Sequence, residues 1–145
     1  MSAEAVELVR SLHPAPDFDL VPLVNDDEAC VWWGDLFGRL FDPSFQGTMR
    51  FPGMAPVTFV GLYGLRDVWR AWLRSWASLH VEIEDVTENG GFVVVVNSGH
   101  GRRGLNAPEE TVKRTALWTV RDGRIVRADF NVPRSEALAM AGLNQ

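Results

Sequence analysis

His100, Arg50 and Asp35 carry side chains suited to proton transfer or charge stabilisation. An imidazole such as that of His100 titrates near neutral pH and can act as a general base. The Arg50 guanidinium can hold a carboxylate or enolate oxygen, and Asp35 offers a carboxylate. Each residue also has a plainer interpretation, as a loop-edge histidine in water, an exposed strand arginine and a solvated helix aspartate.

Two further patterns look like ligand-binding motifs but lack the setting that such motifs need. Residues 99–104 read Gly-His-Gly-Arg-Arg-Gly, which matches the dinucleotide pattern G-x-G-x-x-G. That motif requires a strand before it and a helix after it, whereas a strand is predicted to follow here. His80, Glu82 and Glu84 share one face of a predicted strand, but they spread over about 13 Å, too far for one metal ion. We therefore expect neither a nucleotide site nor a metal site.

Composition narrows the class of protein further. The single cysteine, Cys30, excludes an intramolecular disulfide and a cysteine-based zinc site. His13 stands alone, and no Ser-His-Asp or Cys-His arrangement is visible in sequence order. A net charge of −5 argues against nucleic acid as a partner. Because neither a signal peptide nor a membrane helix is recognisable, we expect a cytoplasmic protein with no membrane partner.

The length of 145 residues fits one domain spanning 1–145. Its first part, 2–41, is predicted to hold the N-terminal helices. Its middle part, 44–132, holds a sheet and a Trp-rich helix, and 135–142 form a short C-terminal helix.

Apolar periodicity predicts the helices. They are expected at residues 2–12, 20–24, 28–41 and 65–78, with a last short helix capped by Ser135. In helix 65–78, Trp69, Trp72 and Trp76 belong to one buried stripe. Arg66, Arg70 and Arg74 lie on the other side of this helix, where we expect a solvated face.

Extended segments make up the rest of the chain. They are predicted at Phe45–Phe51, Val57–Leu62, 79–87, 92–96, 111–121 and 124–132. Asn89-Gly90-Gly91 and Asp122-Gly123 are hairpin turn signals. Helices followed by a meander of strands indicate an α+β fold. Because Phe92–Val96 is apolar on both faces, the sheet needs a second covering layer, either a partner subunit or the sheet curled on itself, and we expect a homodimer.

Three stretches of the chain resemble one family. They are Gly61-Leu-Tyr-Gly-Leu-Arg66, Trp118-Thr-Val-Arg-Asp-Gly-Arg-Ile-Val-Arg127 and Arg134-Ser-Glu-Ala-Leu-Ala-Met-Ala-Gly-Leu143. They are similar to the SnoaL-like branch of the nuclear transport factor 2-like superfamily. The resemblance implies a cone-shaped, bent antiparallel β-sheet packed on N-terminal helices around an apolar pocket, usually in a homodimer. It also implies a reaction that needs no organic cofactor.

The same resemblance implies which residues face the pocket. Its register points Ala128, Phe130 and Val132 inward and Asp129 and Asn131 outward, and a slip of one residue would reverse this.

Two positions depart from characterised relatives of the family. Phe130 stands where the epoxide hydrolase type has an acid, and Gly47 stands near the position of the ketosteroid isomerase base. The family alignment also turns Ser98 and His100 toward the pocket.

Two functions follow from these observations. The first is an enzyme for a hydrophobic polyketide- or terpenoid-like molecule, catalysing cyclisation, isomerisation or dehydration. His100 or Asp129 would move the proton, with Arg50 and Asp35 as further catalytic candidates. The residues expected to contact the ligand are Trp33, Phe37, Trp72, Ser98, Trp118 and Phe130. The alternative is a dimeric binding or scaffold protein without catalysis, which the missing acid at Phe130 favours.

Overall fold

The computed structural model describes residues 2–143. Its helices are α1 (Ser2–Ser11), α2 (Leu20–Asn25), α3 (Asp27–Phe37), α4 (Gly61–Leu73) and α5 (Arg134–Met140), with a 3-10 turn at Gly38–Leu40. Its strands are β1 (Phe41–Met49), β2 (Val57–Val60), β3 (Ser78–Asn89), β4 (Phe92–Arg102), β5 (Glu109–Arg121) and β6 (Arg124–Phe130).

The strands form one curved sheet in the order β2-β1-β6-β5-β4-β3. Neighbouring strands are antiparallel, except that β1 and β6 run parallel. The pairing register shifts at three places, one of them between Ile83 and Asp85 in β3. Because such bulges bend a sheet, the strands curl around the helices. This arrangement confirms the predicted α+β fold.

One face of the sheet, which we call the inner face, packs against α1 and α4. Val9 of α1 and Val68 of α4 contact this layer. The strand residues that share this core are Phe41, Phe45, Met49, Phe59, Val93, Val95, Ala116, Trp118, Ile125, Ala128 and Phe130. Burial of these apolar side chains is the main force that holds the helices on the sheet.

The opposite face, the outer face, is covered in part by α5. Val94 and Leu117 form a second buried cluster with Ala137 and Leu138 of α5. The sequence 92–96 is therefore apolar on both faces because the chain's own last helix packs on one of them. This covering layer is not predicted from the sequence. It accounts for the apolar character of both faces of 92–96, which is the observation behind the predicted homodimer.

Several predicted element boundaries are wrong. The helix expected at 28–41 ends at Phe37, and Phe41 already belongs to β1. Asp42 precedes Pro43, and a residue before proline disfavours the helical conformation. The final helix starts at Arg134 after Pro133, with no side-chain cap, so Ser135 is not its cap.

The arginine row of α4 also departs from expectation. It connects α4 to α3 more than it forms a solvated face. Arg66 and Arg70 both reach Asp27 of α3, at 3.6 Å and 2.6 Å. The Arg70 guanidinium, by hydrogen bond and charge, holds the pKa of the Asp27 carboxyl below its usual value. Arg74 alone of the three is exposed. These contacts hold α3 against α4 on the inner side of the sheet.

The predicted register of β6 holds at two of its three inward positions. Ala128 and Phe130 are buried in the inner core, whereas Val132 packs in the outer cluster with α5. Asn131 lies between Phe130 and Val132 and has a positive φ of 60°. A left-handed residue breaks the alternation of side chains along a strand, so the prediction for Val132 is wrong.

Candidate functional site

A cavity of about 660 Å³ lies between the inner face of the sheet and the helices α2, α3 and α4. The segment 11–18 after α1 closes another side. The wall is mostly apolar, and the volume is in the range of pockets that hold a drug-sized molecule.

Aromatic rings form much of the cavity wall. Trp33, Phe37, Trp72, Trp118 and Phe130 all lie there. The Phe130 ring is the centre of this group, since Trp118 and Trp69 stand edge-on to it at 5.4 Å and 5.3 Å between centroids. Edge-to-face packing of this kind holds rings in fixed positions. The wall therefore offers a preformed surface for a flat apolar molecule.

His13 lies in the cavity wall beside these rings, although the sequence carried no signal for it. Its Nδ1 is 2.8 Å from the backbone oxygen of Val9, and its ring lies edge-on to Trp118 at 5.9 Å between centroids. A carbonyl oxygen can only accept a hydrogen bond, so Nδ1 carries the proton and donates it. In a neutral ring, Nε2 then keeps a lone pair that can take a proton.

Burial lowers the pKa of His13 from 6.5, because desolvation penalises the imidazolium; Arg10 lowers it further, and the Val9 hydrogen bond opposes the shift. The imidazole is therefore neutral at physiological pH. A neutral imidazole in an apolar wall is the form that a general base needs.

This shift predicts a pH dependence of stability. The unfolded chain binds the His13 proton at an ordinary pKa of 6.5 and the native state binds it at a lower one. The stability contributed by neutral His13 is complete above pH 6.5 and declines as the pH falls from 6.5 to the native pKa. Urea unfolding at about pH 7.5 and about pH 5.5 should show a larger loss for the wild type than for His13→Gln. An equal loss in both proteins would contradict the assigned environment of His13.

A small set of polar groups interrupts the apolar wall. Asn97 and Arg114 lie there on β4 and β5. The Asn97 Oδ1 and the Trp118 Nε1 are buried without a hydrogen-bond partner in the described part of the chain. Buried polar atoms are nearly always paired, so these two atoms are exceptions within residues 2–143.

Ser98 and His100 do not face the cavity, so this prediction is wrong. Asn97 and Gly99 line it instead. Ser98 is buried on the outer face, and the half-buried His100 lies there with its Nδ1 3.2 Å from the Thr111 Oγ1. The error is a one-residue slip, which reverses every side chain of a strand.

Arg50 is also outside the cavity. Its guanidinium forms a two-pronged ion pair with Glu136 of α5. Its backbone oxygen accepts a hydrogen bond from the Asn131 Nδ2 at 3.1 Å. Arg50 therefore ties α5 to the end of β1 and cannot stabilise charge in the cavity in this arrangement.

Asp35 and Asp129 occupy different surroundings from each other. Asp35 is exposed at the cavity rim. Asp129 points away from the cavity, as the predicted register requires, but it is only 3% exposed. Its carboxylate accepts from the Thr48 Oγ1 at 2.7 Å and the Arg127 Nε at 3.0 Å. Asn131, predicted to point outward with it, contributes to the cavity wall.

The surroundings of Asp129 predict a structural role. Asp129→Asn should lower the free energy of unfolding by about 1–3 kcal/mol, because the buried carboxylate accepts hydrogen bonds from Thr48 and from the charged, partly exposed Arg127. Ligand binding in the cavity should stay unchanged. Chemical denaturation and binding titrations of the variant would check both parts, and a loss of binding at unchanged stability would restore a role in the site.

Phe130 and Gly47 are the two positions at which the sequence departs from characterised relatives of the family. Phe130 fills the inner-face position with a ring. A side chain at Gly47 would have no space, since its Cβ would lie 1.8 Å from the backbone oxygen of Ala128. No carboxylate can therefore project from position 47 without moving β6.

Two other kinds of feature are absent from residues 2–143. No group of three His, Cys, Asp or Glu side chains there is placed to hold a metal ion. No helix of that range has the length and apolar character needed to cross a bilayer.

The curved sheet, the helices on its inner face and the apolar cavity between them define a nuclear transport factor 2-like fold. The model of the SnoaL-like domain family matches residues 33–128. The chain belongs to this family.

Solved structures agree with that assignment at the level of the fold. A protein from Jannaschia sp. CCS1 proposed to be a SnoaL-like polyketide cyclase has a TM-score of 0.64 and 21% identity, covering 97% of this chain and 92% of that one. TerC, co-crystallised with polyporic acid, has a TM-score of 0.62 and 15% identity, covering 95% and 97%. A nuclear transport factor 2-like protein of Burkholderia pseudomallei K96243 has a TM-score of 0.63 and 17% identity, covering 97% and 98%. No curated protein matches the sequence.

Proposed function

We propose that this protein is a small-molecule enzyme that binds a hydrophobic substrate in its aromatic cavity and moves a proton with His13. The reaction class is cyclisation, isomerisation or dehydration of a polyketide- or terpenoid-like compound. The observation that carries the proposal is the neutral His13 imidazole, fixed through Nδ1 and placed against Trp118.

The chemistry follows from the state of that ring. The free lone pair on Nε2 accepts a proton from an acidic C–H or O–H of the bound molecule. In the case of a ketone, the electron pair of the C–H bond forms a carbon–carbon double bond, the π pair of the carbonyl moves to its oxygen, and an enolate forms. The imidazolium then returns the proton at the same or another carbon, which restores the base. The cavity is open on one side, so the N–H of the imidazolium can exchange with solvent before a proton returns to the bound molecule.

The family and the composition of the cavity support a hydrophobic substrate. SnoaL-like proteins include polyketide cyclases, and TerC, which shares the fold, has been crystallised with an organic acid. Aromatic side chains dominate the wall of this cavity. A molecule that is large, flat and mostly apolar complements such a wall.

A second candidate is a binding protein without catalysis. Phe130 occupies the place of an acid in characterised relatives, and the Nδ1 of His13 contacts a backbone carbonyl where many catalytic histidines contact a carboxylate. Such a base lacks the help that a negative partner gives to an imidazolium. This candidate keeps the apolar ligand and drops the proton transfer.

Deuterium exchange separates the two candidates. The bicyclic ketone 2-tetralone is apolar and has acidic protons next to its carbonyl, so a base in the cavity should accelerate their exchange in D₂O. Proton NMR would follow the loss of that signal with and without protein. Acceleration above the buffer rate supports the enzyme. Binding of 2-tetralone without acceleration supports the binding protein.

The homodimer expected from the sequence remains a prediction. On the outer face, the half-buried His80 and the exposed Glu82 and Lys113 leave a largely polar surface beside α5. Sedimentation velocity at micromolar concentration should show a dimer, and a monomer would contradict the prediction.

A further inference from the structure

Arg114 is a cation in the cavity wall. It is half-buried on β5, and its Nη1 donates to the backbone oxygen of Lys113 at 2.8 Å. Among the described residues it takes part in no ion pair. A guanidinium does not lose its proton in proteins, so the charge persists in a mostly apolar cavity.

The other arginine of the cavity differs in this respect. Arg66 lies 3.6 Å from Asp27 and 3.8 Å from Asp67, so its charge is balanced by the chain itself. The two carboxylates at the rim, Asp17 and Asp35, are exposed and make no ion pair with Arg114. Within residues 2–143, one cavity cation is therefore balanced by carboxylates and the other has no counter-charge.

Asn97 stands directly across the ladder from Arg114. The two residues are register partners on β4 and β5, and both line the cavity. Side chains at such positions have Cβ atoms about 4.5–5.5 Å apart. The Asn97 Oδ1 accepts no hydrogen bond in the described part of the chain, and the amide N–H groups of Asn97 are the part that can donate. The pair forms one polar spot within an apolar wall, with the Arg114 guanidinium as its charged donor.

Arg114 is half-buried, and a molecule that filled the cavity beside it would take its charge further out of water, which is costly unless an anion or several acceptors satisfy it. A guanidinium presents donors in a planar fork that suits two oxygens or one anionic oxygen. Neither rim carboxylate supplies those oxygens, and the cavity is large enough for an organic molecule. The counter-charge that fits is carried by a ligand.

We infer that Arg114, with Asn97 beside it, binds the anionic oxygen of an otherwise hydrophobic ligand. The substrate class is an aromatic or polycyclic molecule with one acidic group, such as a carboxylate, an enolate or a phenolate. This inference rests on the proposed function in that the cavity must bind a hydrophobic molecule. It does not require that His13 be catalytic.

Two fluorescent probes with the same aromatic body test it. One is 8-anilinonaphthalene-1-sulfonate, an anion, and the other is N-phenyl-1-naphthylamine, which lacks the sulfonate. For Arg114→Gln we expect the dissociation constant of the anion to rise about 10-fold or more, in line with the strength of a hydrogen bond to a charged group. The neutral probe should bind with nearly unchanged affinity, which also reports that the variant is folded. Arg114→Lys keeps the charge and should restore most of the affinity for the anion.

Arg121→Gln is the matched control, because it removes the same charge from the same strand at an exposed position outside the cavity wall. It should leave the binding of both probes unchanged. The inference is overturned if Arg114→Gln loses affinity for both probes equally or for neither. It is also overturned if Arg121→Gln loses as much affinity for the anion as Arg114→Gln does. If the wild type binds neither probe, the inference and the proposed function fail together. Selective loss of the anion in a protein that does not accelerate exchange of 2-tetralone would sustain the inference and remove only the enzyme.

Discussion

Replacement of His13 by glutamine is expected to slow the exchange of the 2-tetralone protons by about 10²–10⁴-fold, the usual contribution of a general base. Glutamine keeps a similar length and can still hydrogen-bond to the Val9 carbonyl, but it cannot accept a proton at neutral pH. The variant should therefore bind 2-tetralone with little change in affinity and lose only the rate. Proton NMR in D₂O measures both quantities in one experiment.

His100→Gln is the matched control for this prediction. His100 lies on the outer face beside Thr111, so its replacement should leave the exchange rate unchanged.

The pH dependence of the exchange rate provides a further check. Because burial lowers the pKa of His13 below 6.5, the wild-type rate should stay high as the pH falls through 6.5 and decline only below it. If exchange slows in His100→Gln and not in His13→Gln, the general base is His100, as the sequence predicts.

Gly47→Ala is expected to lower the free energy of unfolding by about 3 kcal/mol, at the upper end for overpacked cores. A Cβ at position 47 would lie 1.8 Å from the backbone oxygen of Ala128 and 2.8 Å from the Phe59 ring. The first of these atoms belongs to the neighbouring strand β6, so it cannot move aside as a flexible side chain can. The parallel pair of β1 and β6 must separate to accept the methyl group. Urea denaturation of both proteins measures the difference.

Gly34→Ala is the contrasting substitution. Gly34 lies within α3, and a Cβ there meets nothing within 4 Å. Alanine in a helix interior should stabilise the protein by about 0.5–1 kcal/mol. If Gly47→Ala is as stable as the wild type, the close approach of β1 and β6 is wrong, and with it the placement of Phe130 in the cavity.

The parts of the fold that the sequence predicts well are those with local signals. The Asp122-Gly123 turn has positive φ values of 52° and 75°, which is what Asp-Gly in a two-residue hairpin requires. On β5, Trp118 and Leu117 lie in the inner and the outer buried cluster, as the alternation of side chains along a strand requires. Strong turn residues and a clear period of two fix such a strand without knowledge of its neighbours.

The site was harder to predict because its register is set by distant contacts. Val93, Val94 and Val95 are all buried, so β4 has no polar side that would mark the outer face. The face of Val94 is covered by α5, whose residues follow about 40 positions later. Without that contact, the sequence could not distinguish Asn97 and Gly99 from Ser98 and His100 as cavity residues.

His13 was missed for a related reason. It follows α1 in a segment with no periodic pattern, and its cavity neighbour Trp118 is more than a hundred residues away in the chain. The closest signal in the sequence is its position four residues after Val9, which allows the ring to reach the backbone oxygen at the end of a helix. That signal is common to many surface histidines.

The protonation state of His13 tests the account most directly, because the proposed chemistry needs a neutral ring with a free Nε2 inside the cavity. Nitrogen-15 NMR of the imidazole nitrogens, assigned with His13→Gln, would follow the titration with and without N-phenyl-1-naphthylamine. We predict a proton on Nδ1, a pKa below 6.5 and shifted ring signals when the probe binds. A proton on Nε2, a titration at or above 6.5, or ring signals that ignore the probe would contradict the assignment of His13 as the base of this cavity.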